Sequence, residues 1–346
     1  MKLSVNEVQP GMRTLNAVKA SNDFTVIPAN IEITSHMINL LFKWNIDIVD
    51  ICSNDEKIIS KTELFEELYY DSITKTKNIF DEMRDNEQVL YKEFYNLVTF
   101  NLYHLLDEKN LIVNLYRLKS SIDYTYIHSV DVGLLCGLIG KWCRFKEEKI
   151  KLLMITGLMH DIGKSQIPEK LLTKKDKLDL EQMNVIRLHS LYGYYMVREL
   201  INKIPTDVQQ GILQHHEREN GQGYPFAYKS ENINSFAKIV AIADTYDAMT
   251  SNRSYKKSIT PFKALGILSE QIATSFDRNF CGIFIDRTLK SMIGAKVILS
   301  DKSYGEILSF DNLFSVSPII KKNNGVILDL GEVEDLDIEE VLEFDL

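Results

Sequence analysis

The chain has 346 residues, which is long for one compact domain and indicates a main domain with smaller additions. Hydrophobic residues make up 45% and charged residues 26% of it, a composition typical of a soluble folded protein and not of a wholly disordered one. Acidic residues outnumber basic ones by 49 to 40, and the net charge of −9 argues against a nucleic-acid polymer as the partner.

Neither a leader nor a membrane span is predicted from the sequence. The first residues contain no apolar segment of the signal-peptide type, and the longest apolar stretches, 132–140 and 152–159, are far shorter than the roughly 18 residues of a membrane span. We therefore expect a cytoplasmic protein without membrane contact. The absence of CxxC spacing favours reduced thiols, and the chain has four cysteines: Cys52, Cys136, Cys143 and Cys281.

The first third of the chain is predicted to contain two units. Residues 1–55 form a small mixed α/β unit, in which 33–44 carries apolar residues at helical spacing and 45–51 alternates polar and apolar residues as a half-buried strand does. Residues 56–120 are rich in Glu, Lys, Leu and Tyr and contain neither Pro nor Gly. This composition predicts a helical connector or lid.

The remainder divides into a long helical segment and a short β segment. Residues 121–290 are strongly helical in pattern, whereas 291–346 contains short runs of β-forming residues. The run 316–320 contains Pro318, so we expect at most an edge strand there. The predicted fold class is mainly α: an all-helical bundle with a small N-terminal mixed α/β unit and a small C-terminal β unit.

Histidines are concentrated in the helical segment. A single histidine on an apolar helix is more often a core residue than a ligand, but five of the seven lie between 128 and 216. Imidazole and carboxylate are the ligands of Fe, Mn and Zn, and the absence of cysteine from the group argues against a structural zinc site. The group comprises His128, His160, His189, His215 and His216, whereas His36 and His104 are expected to have no role in it.

The flanking sequences predict how these side chains converge. An apolar helix over 150–159 ends at His160 and Asp161, and the apolar run before Asp244 delivers that carboxylate in the same way. His189 is predicted to lie on another, mostly buried helix, because apolar residues precede it at helical spacing: Leu180, Met183, Ile186 and Leu188.

Adjacent ligands favour two metal ions rather than one. Neighbouring residues on a helix point about 100° apart, so His160 and Asp161 serve one ion poorly and two neighbouring ions well. Asp161 is the expected bridge. Two such ions clamp a phosphate and activate a water, which is the chemistry of phosphoester hydrolysis, and no Walker A, GxGxxG or GxSxG motif competes with it.

The chain carries four motifs in a fixed order: HDIGK from His160, HHE from His215, GYP from Gly223 and ADTYDAMTS from Ala243. Together they resemble the HD-GYP family, a subset of the HD phosphohydrolases, over residues 120–290. The resemblance implies an all-helical HD-type bundle, a metal centre, and hydrolysis of cyclic di-GMP to linear pGpG, sometimes onward to GMP. It implies these metal ligands: His128, His160, Asp161, His189, His215, His216 and Asp244.

The resemblance also implies which residues act on the substrate. Asp161 and Lys164 are expected to be catalytic, with Lys164 beside the scissile phosphate. Arg253 and Lys256 are expected to hold the ligand phosphates, since a dianion needs fixed cations. The alternative for the three basic residues is a solvated charge at a helix end.

Three further positions belong to these motifs. Tyr224 belongs to the loop 221–225, which is expected to contact substrate guanine or a partner diguanylate cyclase domain, with a plain surface turn as the alternative. Glu217 is expected either to orient a ligand histidine or to be a surface acid. Asp247 follows Asp244 by about one turn and is expected to support the site rather than to ligate.

One position bears on the number of metal ions. By the resemblance, family members with three metals have a Glu four residues before the first ligand histidine, and Tyr124 occupies that place here. Phenol is a poor ligand near neutral pH. We therefore expect two divalent ions, Fe or Mn, and pGpG as the main product.

The function predicted from the sequence is thus a metal-dependent cyclic di-GMP phosphodiesterase. One alternative is hydrolysis of another cyclic dinucleotide, such as cyclic GMP-AMP, because base recognition depends on loop geometry. The other is a catalytically weak module that binds cyclic di-GMP and signals through its terminal units. A homodimer and a diguanylate cyclase domain are the candidate protein partners.

Overall fold

The computed structural model describes the protein over the greater part of its length. The described residues are 2–20, 25–29, 31–52, 61–86, 90–108, 110–118, 124–174, 176–198, 204–252, 258–272, 274–310, 316–333 and 335–342. Within these ranges, no helix combines the length and the apolar character that crossing a membrane would require.

The N-terminal unit is a small mixed α/β structure, as predicted. Its elements are β1 (Lys2–Ser4), β2 (Val18–Lys19), β3 (Thr25–Ile27), α1 (Ser35–Lys43) and β4 (Ile48–Asp50). The strands form two antiparallel pairs, β1 with β4 and β2 with β3. Helix α1 begins after Thr34, whose hydroxyl accepts a hydrogen bond from the Met37 amide, and it buries Met37, Leu40 and Leu41.

The next segment is helical where it is described. It contains α2 (Lys61–Asn86), α3 (Tyr91–Leu97), a π-helical turn (Val98–Leu102), α4 (Tyr103–Leu105) and α5 (Leu111–Leu118). These helices belong to the core, since Phe94 and Leu97 are fully buried. The ring of Trp44 meets Phe100 edge to face with centroids 5.3 Å apart, so the π-helical turn joins the N-terminal unit to the bundle.

Nine helices follow in the described residues. They are α6 (Tyr124–Trp142), α7 (Glu147–Met159), α8 (Glu169–Leu172), α9 (Leu180–Arg187), α10 (His189–Arg198), α11 (Thr206–Gln214), α12 (Ser235–Thr250), α13 (Pro261–Gln271) and α14 (Arg278–Ser291). Helix α6 is buried on every side from Ile127 to Gly140, which makes it the centre of the bundle. Gly157 lets α7 approach it closely, because a Cβ there would lie 2.8 Å from the Val132 carbonyl oxygen.

The prediction of a mostly buried helix before His189 is wrong. That segment is the surface helix α9, in which no side chain is buried and Leu180 is 83% exposed. A local signal forms it instead, because Asp179 accepts a hydrogen bond from the Gln182 amide at 2.8 Å in a capping box. His189 is the first residue of the next helix, α10, where Gly193 and Val197 are buried.

The C-terminal unit is a five-stranded antiparallel sheet with strand order β8-β7-β6-β5-β9. Its strands are β5 (Lys296–Leu299), β6 (Tyr304–Phe310), β7 (Pro318–Lys322), β8 (Ile327–Asp329) and β9 (Ile338–Val341). The prediction of an edge strand at 316–320 is wrong, because β7 lies between β6 and β8. Pro318 is the first residue of β7, where its missing N–H interrupts no central pairing, and its carbonyl accepts from the Leu330 amide at 3.1 Å.

Candidate metal centre

Five helices bring the seven predicted ligands to one place. These are His128 on α6, His160 and Asp161 directly after α7, His189 at the start of α10, His215 and His216 directly after α11, and Asp244 in α12. Gly163 allows the turn after α7 to pack on α10, because a Cβ at Gly163 would lie 2.0 Å from the His189 carbonyl oxygen. Close packing against α10 therefore explains why the HDIGK motif has a glycine at this position.

The ligand atoms form two groups, each with its atoms within 4.8 Å of one another. One group contains His128, His160 and Asp244, and the other contains Asp161, His189, His215 and His216. Asp161 lies between them: its Oδ2 is 3.3 Å from Nε2 of His160, and its Oδ1 is 3.3 Å from Nε2 of His189. The two oxygens of one carboxylate thus face different groups.

Three of the histidines are oriented by the same type of hydrogen bond, from Nδ1 to a backbone carbonyl oxygen. Nδ1 of His160 lies 2.7 Å from the Gly157 carbonyl oxygen, three residues earlier in the chain. The last carbonyls of a helix lack helical N–H partners, so Nδ1–H of a histidine at the helix end is a natural donor to them. This donation leaves Nε2 of each ring available as a ligand. The same contact is made by His189 to Ile186 at 2.8 Å and by His215 to Ile212 at 2.7 Å.

His128 is oriented by a carboxylate instead. Its Nδ1 lies 2.6 Å from Oδ2 of Asp247, and the Ser251 hydroxyl donates to the same carboxylate at 3.2 Å. Asp247 therefore contacts a predicted ligand through the ring nitrogen that faces away from Asp244. Burial opposes a charge on His128, but Asp244 and Asp247 outweigh burial and raise its pKa to about 9.

The other charges of the centre favour deprotonated ligands. Burial would raise the pKa of Asp161, but His160 and Lys164 outweigh it and hold that pKa well below its usual range. Burial, reinforced by neighbouring imidazoles, lowers the pKa values of His215 and His216 well below the usual range. Carboxylate and neutral imidazole are the protonation states in which these groups bind a metal.

The buried acceptors of the centre fit a cation. Nε2 of His160 and Oδ1 of Asp161 are buried and have no hydrogen-bond partner within the described part of the chain. Nε2 of His189 lies 3.3 Å from Nε2 of His215 and 3.2 Å from Nε2 of His216. Lone pairs that converge at this depth are costly unless a positive ion lies among them. A ligand set that consists only of imidazole nitrogens and carboxylate oxygens suits divalent metal ions.

Two of the predicted substrate-binding residues lie beside this centre. Lys164 is on the 3₁₀ turn Ile162–Gln166, and its ammonium group forms an ion pair with Oδ2 of Asp161. The Tyr224 ring stacks on His216 with centroids 4.5 Å apart. The other two predicted residues, Arg253 and Lys256, lie outside the described residues.

Neither sequence-based interpretation of Glu217 is correct. Its side chain is buried, and its two oxygens accept hydrogen bonds from the amides of Phe226 at 2.7 Å and Tyr228 at 2.9 Å. Glu217 therefore fastens the loop that carries the GYP motif. Gly223 permits this close approach, because a Cβ there would lie 2.4 Å from the His216 carbonyl oxygen. That glycine was the only sequence signal of the contact, since no local period links Glu217 to the amides it holds.

The fold and the centre agree with the comparison to known families. The profile described as HD domain matches residues 108–280, half of the 346-residue chain. The chain therefore belongs to the HD domain family, and its four motifs identify it within that family as a protein of the HD-GYP type. The start of the match at residue 108 places α5 inside the matched region.

Curated relatives cover different parts of the chain. The cyclic di-GMP phosphodiesterase PA4108 of Pseudomonas aeruginosa is 32% identical over 219 residues, which are 63% of this chain and 52% of that protein. Cyclic di-GMP phosphodiesterase PdeB of Borreliella burgdorferi is 25% identical over 327 residues, which are 90% of this chain and 85% of PdeB. The 3′3′-cGAMP-specific phosphodiesterase 1 of Vibrio cholerae is 32% identical over 163 residues, which are 47% of this chain and 37% of that protein. The chain thus spans about half the length of PA4108.

One solved structure shares the fold over most of the chain. Bd1817, an HDG"Y"P protein from Bdellovibrio bacteriovorus, superposes with a TM-score of 0.55 at 13% identity and covers 83% of this chain and 98% of its own. This similarity confirms the predicted fold class, a mainly α HD-type bundle with small terminal units.

Proposed function

We propose that the protein is a metal-dependent phosphodiesterase that hydrolyses cyclic di-GMP to linear pGpG. The observation that carries the proposal is the position of Asp161, whose two oxygens face two separate groups of ligand atoms. Phosphodiester hydrolysis is a common reaction of paired metal ions. The names of PA4108 and PdeB support cyclic di-GMP as the substrate.

The proposed cofactors are two divalent ions, Fe or Mn. One would be held by His128, His160 and Asp244 and the other by His189, His215 and His216, with Asp161 shared between them. When bound, such ions supply Lewis-acid stabilisation of the phosphate and a water that is nucleophilic at neutral pH.

The chain's own residues would hold the substrate in place. Lys164 lies at the ion pair with Asp161 and is 36% exposed, so its ammonium group can also reach an anion that enters from solvent. There it would offset negative charge on the scissile phosphate. Tyr224 would border the same opening through its contact with His216. Arg253 and Lys256 stay proposed phosphate-binding residues on the strength of the sequence resemblance alone.

Two ions rather than three are proposed because of Tyr124. It is the first residue of α6, and its ring lies parallel to the His128 ring at 15° with centroids 5.5 Å apart. By the resemblance, family members with three metals have a Glu at this position, and a phenol is a poor ligand near neutral pH. With two ions, pGpG is the proposed end product.

A cyclic GMP-AMP substrate is the second candidate, and the similarity to the Vibrio cholerae enzyme favours keeping it. A diguanylate cyclase partner, a homodimer and a cytoplasmic location are further proposals from the sequence. The exposed rings of Phe226 and Tyr228, stacked on each other with centroids 5.2 Å apart, give the loop an accessible surface for a partner domain.

The test is anaerobic purification of the full chain, metal analysis, and turnover of cyclic di-GMP, cyclic GMP-AMP and cyclic di-AMP with added Fe or Mn. We expect about two ions per chain and pGpG from cyclic di-GMP at the highest kcat/KM. Preferred turnover of cyclic GMP-AMP would select the second candidate. Binding of cyclic di-GMP without turnover, abolished by Arg253→Ala, would instead identify a sensor.

A further inference from the structure

The exposure of the ligand residues shows on which side the centre opens. Of the seven predicted ligands, only His216 and Asp244 are half-buried, and the other five are buried. Solvent and substrate therefore reach the centre past these two side chains. A residue that contacts His216 or its neighbours from the solvent side stands at the entrance.

Arg187 occupies such a place. It is the last residue of α9, two positions before His189, and its side chain is exposed. Its guanidinium carbon lies 5.4 Å from the centroid of the Tyr224 ring, and the Tyr224 ring stacks on His216. Arg187, Tyr224 and His216 thus form a continuous path from solvent to the ligand atoms.

The guanidinium of Arg187 has no acidic partner within ion-pair distance in the part of the chain that is described. This distinguishes it from Arg218, whose Nη1 donates to the carbonyl oxygens of His215 and Glu217 and so serves the fold. An arginine held over an aromatic ring keeps the N–H groups of its planar edge available, and these match a phosphate with two parallel hydrogen bonds.

We propose that Arg187 is a substrate-binding residue that holds the phosphate of the cyclic dinucleotide that is not being cleaved. A cyclic dinucleotide carries two negative charges, and the metal centre with Lys164 neutralises one of them. The second charge needs cations outside the centre but beside it. Arg253 and Lys256 are proposed for the phosphates from the resemblance alone, and Arg187 is an exposed cation that the structure describes over Tyr224 at the entrance. The inference rests on the proposed function and adds to it a residue outside the four motifs.

The substitution of Arg187 should affect a substrate with two phosphates and leave a substrate with one phosphate unaffected. For Arg187→Gln, KM for cyclic di-GMP should rise about 10-fold or more, whereas kcat should stay within about twofold. Hydrolysis of bis(p-nitrophenyl) phosphate, which has a single phosphodiester and one charge, should be unchanged. Arg187→Lys should recover part of the loss, since it keeps the charge without the planar fork. The rise of KM with salt should be steeper in the unsubstituted protein than in Arg187→Gln.

The chain offers a matched control in Arg198. It is the last residue of α10, is also exposed, and also lies over a tyrosine, with its guanidinium carbon 5.9 Å from the Tyr194 centroid. It is separated from His189 by the length of α10, about 14 Å. Arg198→Gln should leave both substrates unaffected.

The outcomes separate the inference from the function on which it rests. An unchanged KM for cyclic di-GMP in Arg187→Gln overturns the inference alone. Equal losses on both substrates, or a lower metal content, overturn it in favour of a bracing role for Arg187 on Tyr224. If the unsubstituted protein hydrolyses bis(p-nitrophenyl) phosphate but no cyclic dinucleotide, the proposed function fails and the inference fails with it.

Discussion

Nδ1 of His128 on α6 and Oδ2 of Asp247 on α12 form a buried hydrogen bond of 2.6 Å between two helices that are far apart in the chain. The bond turns Nε2 of His128 toward Asp244, 3.2 Å away. Asp247 therefore belongs to the centre without facing it. Contacts of this kind commonly fix the tautomer and orientation of a ligand imidazole.

Asp247→Asn should weaken metal binding by about 10- to 100-fold, because an amide can rotate its NH₂ group toward Nδ1 and so favour the wrong tautomer. Metal content after dialysis against a chelator measures the effect, and turnover should fall with it. Ser251→Ala is the control that keeps the carboxylate and loses only a hydroxyl donor to it. A full metal content in Asp247→Asn would contradict the supporting role.

Glu217→Ala should affect the loop rather than the metal. The change leaves the amides of Phe226 and Tyr228 without their acceptor, which should cost about 1–3 kcal/mol of unfolding free energy. KM should rise because Tyr224 loses its fixed place, and metal content should change little. Glu217→Gln keeps one acceptor oxygen, so its unfolding free energy and its KM should lie between those of the unsubstituted protein and those of Glu217→Ala. Loss of metal without loss of stability would show instead that Glu217 acts on the ligands.

The contrast between Glu217 and His160 shows how far the sequence could predict the centre. His160 directly follows the apolar helix α7, and its accepting carbonyl is three residues earlier, so local spacing was enough to place it. Glu217 depends on amides nine and eleven positions later, which only the folded loop brings near. Long-range contacts of this type leave no periodic signal.

The fold shows the same division. Apolar runs predicted α7 and α12 correctly, since both are buried. The apolar spacing before His189 predicted the wrong burial, because α9 has no buried side chain and its Leu180 and Met183 are exposed. Pro318 in a central strand was also missed, because a proline at the first position of a strand costs no ladder bond there.

Tyr124→Glu should increase the metal content of the protein. The carboxylate would replace a ring that now lies against His128 and would supply the ligand of a third ion. Inductively coupled plasma analysis of protein loaded with Fe or Mn measures the ratio, and further conversion of pGpG to GMP should accompany the gain. Tyr124→Gln, similar in size but uncharged, should show neither effect. An unchanged ratio in Tyr124→Glu would contradict the proposed reason for two ions.

Two buried tyrosines should respond differently to the loss of their hydroxyl groups. The Tyr69 hydroxyl of α2 donates to Oδ1 of the buried Asp131 on α6 at 2.7 Å, so Tyr69→Phe should cost about 2 kcal/mol of unfolding free energy. The Tyr246 hydroxyl is buried and has no hydrogen-bond partner among the described residues. Tyr246→Phe should therefore be neutral or stabilise by up to about 1 kcal/mol. Urea denaturation of both variants at neutral pH tests the pair.

The same hydroxyl of Tyr69 should make the fold sensitive to alkali. Burial, and next the carboxylate of Asp131, raise the pKa of Tyr69 well above its usual value of 10.0. In the window between these two pKa values the folded chain keeps a proton that the unfolded chain has lost. The stabilising contribution is thus complete below pH 10 and is lost as the pH rises through the folded pKa. Above pH 10, the unfolding free energy should fall less steeply with pH in Tyr69→Phe than in the unsubstituted protein. An equally steep fall would place the alkaline sensitivity elsewhere in the core.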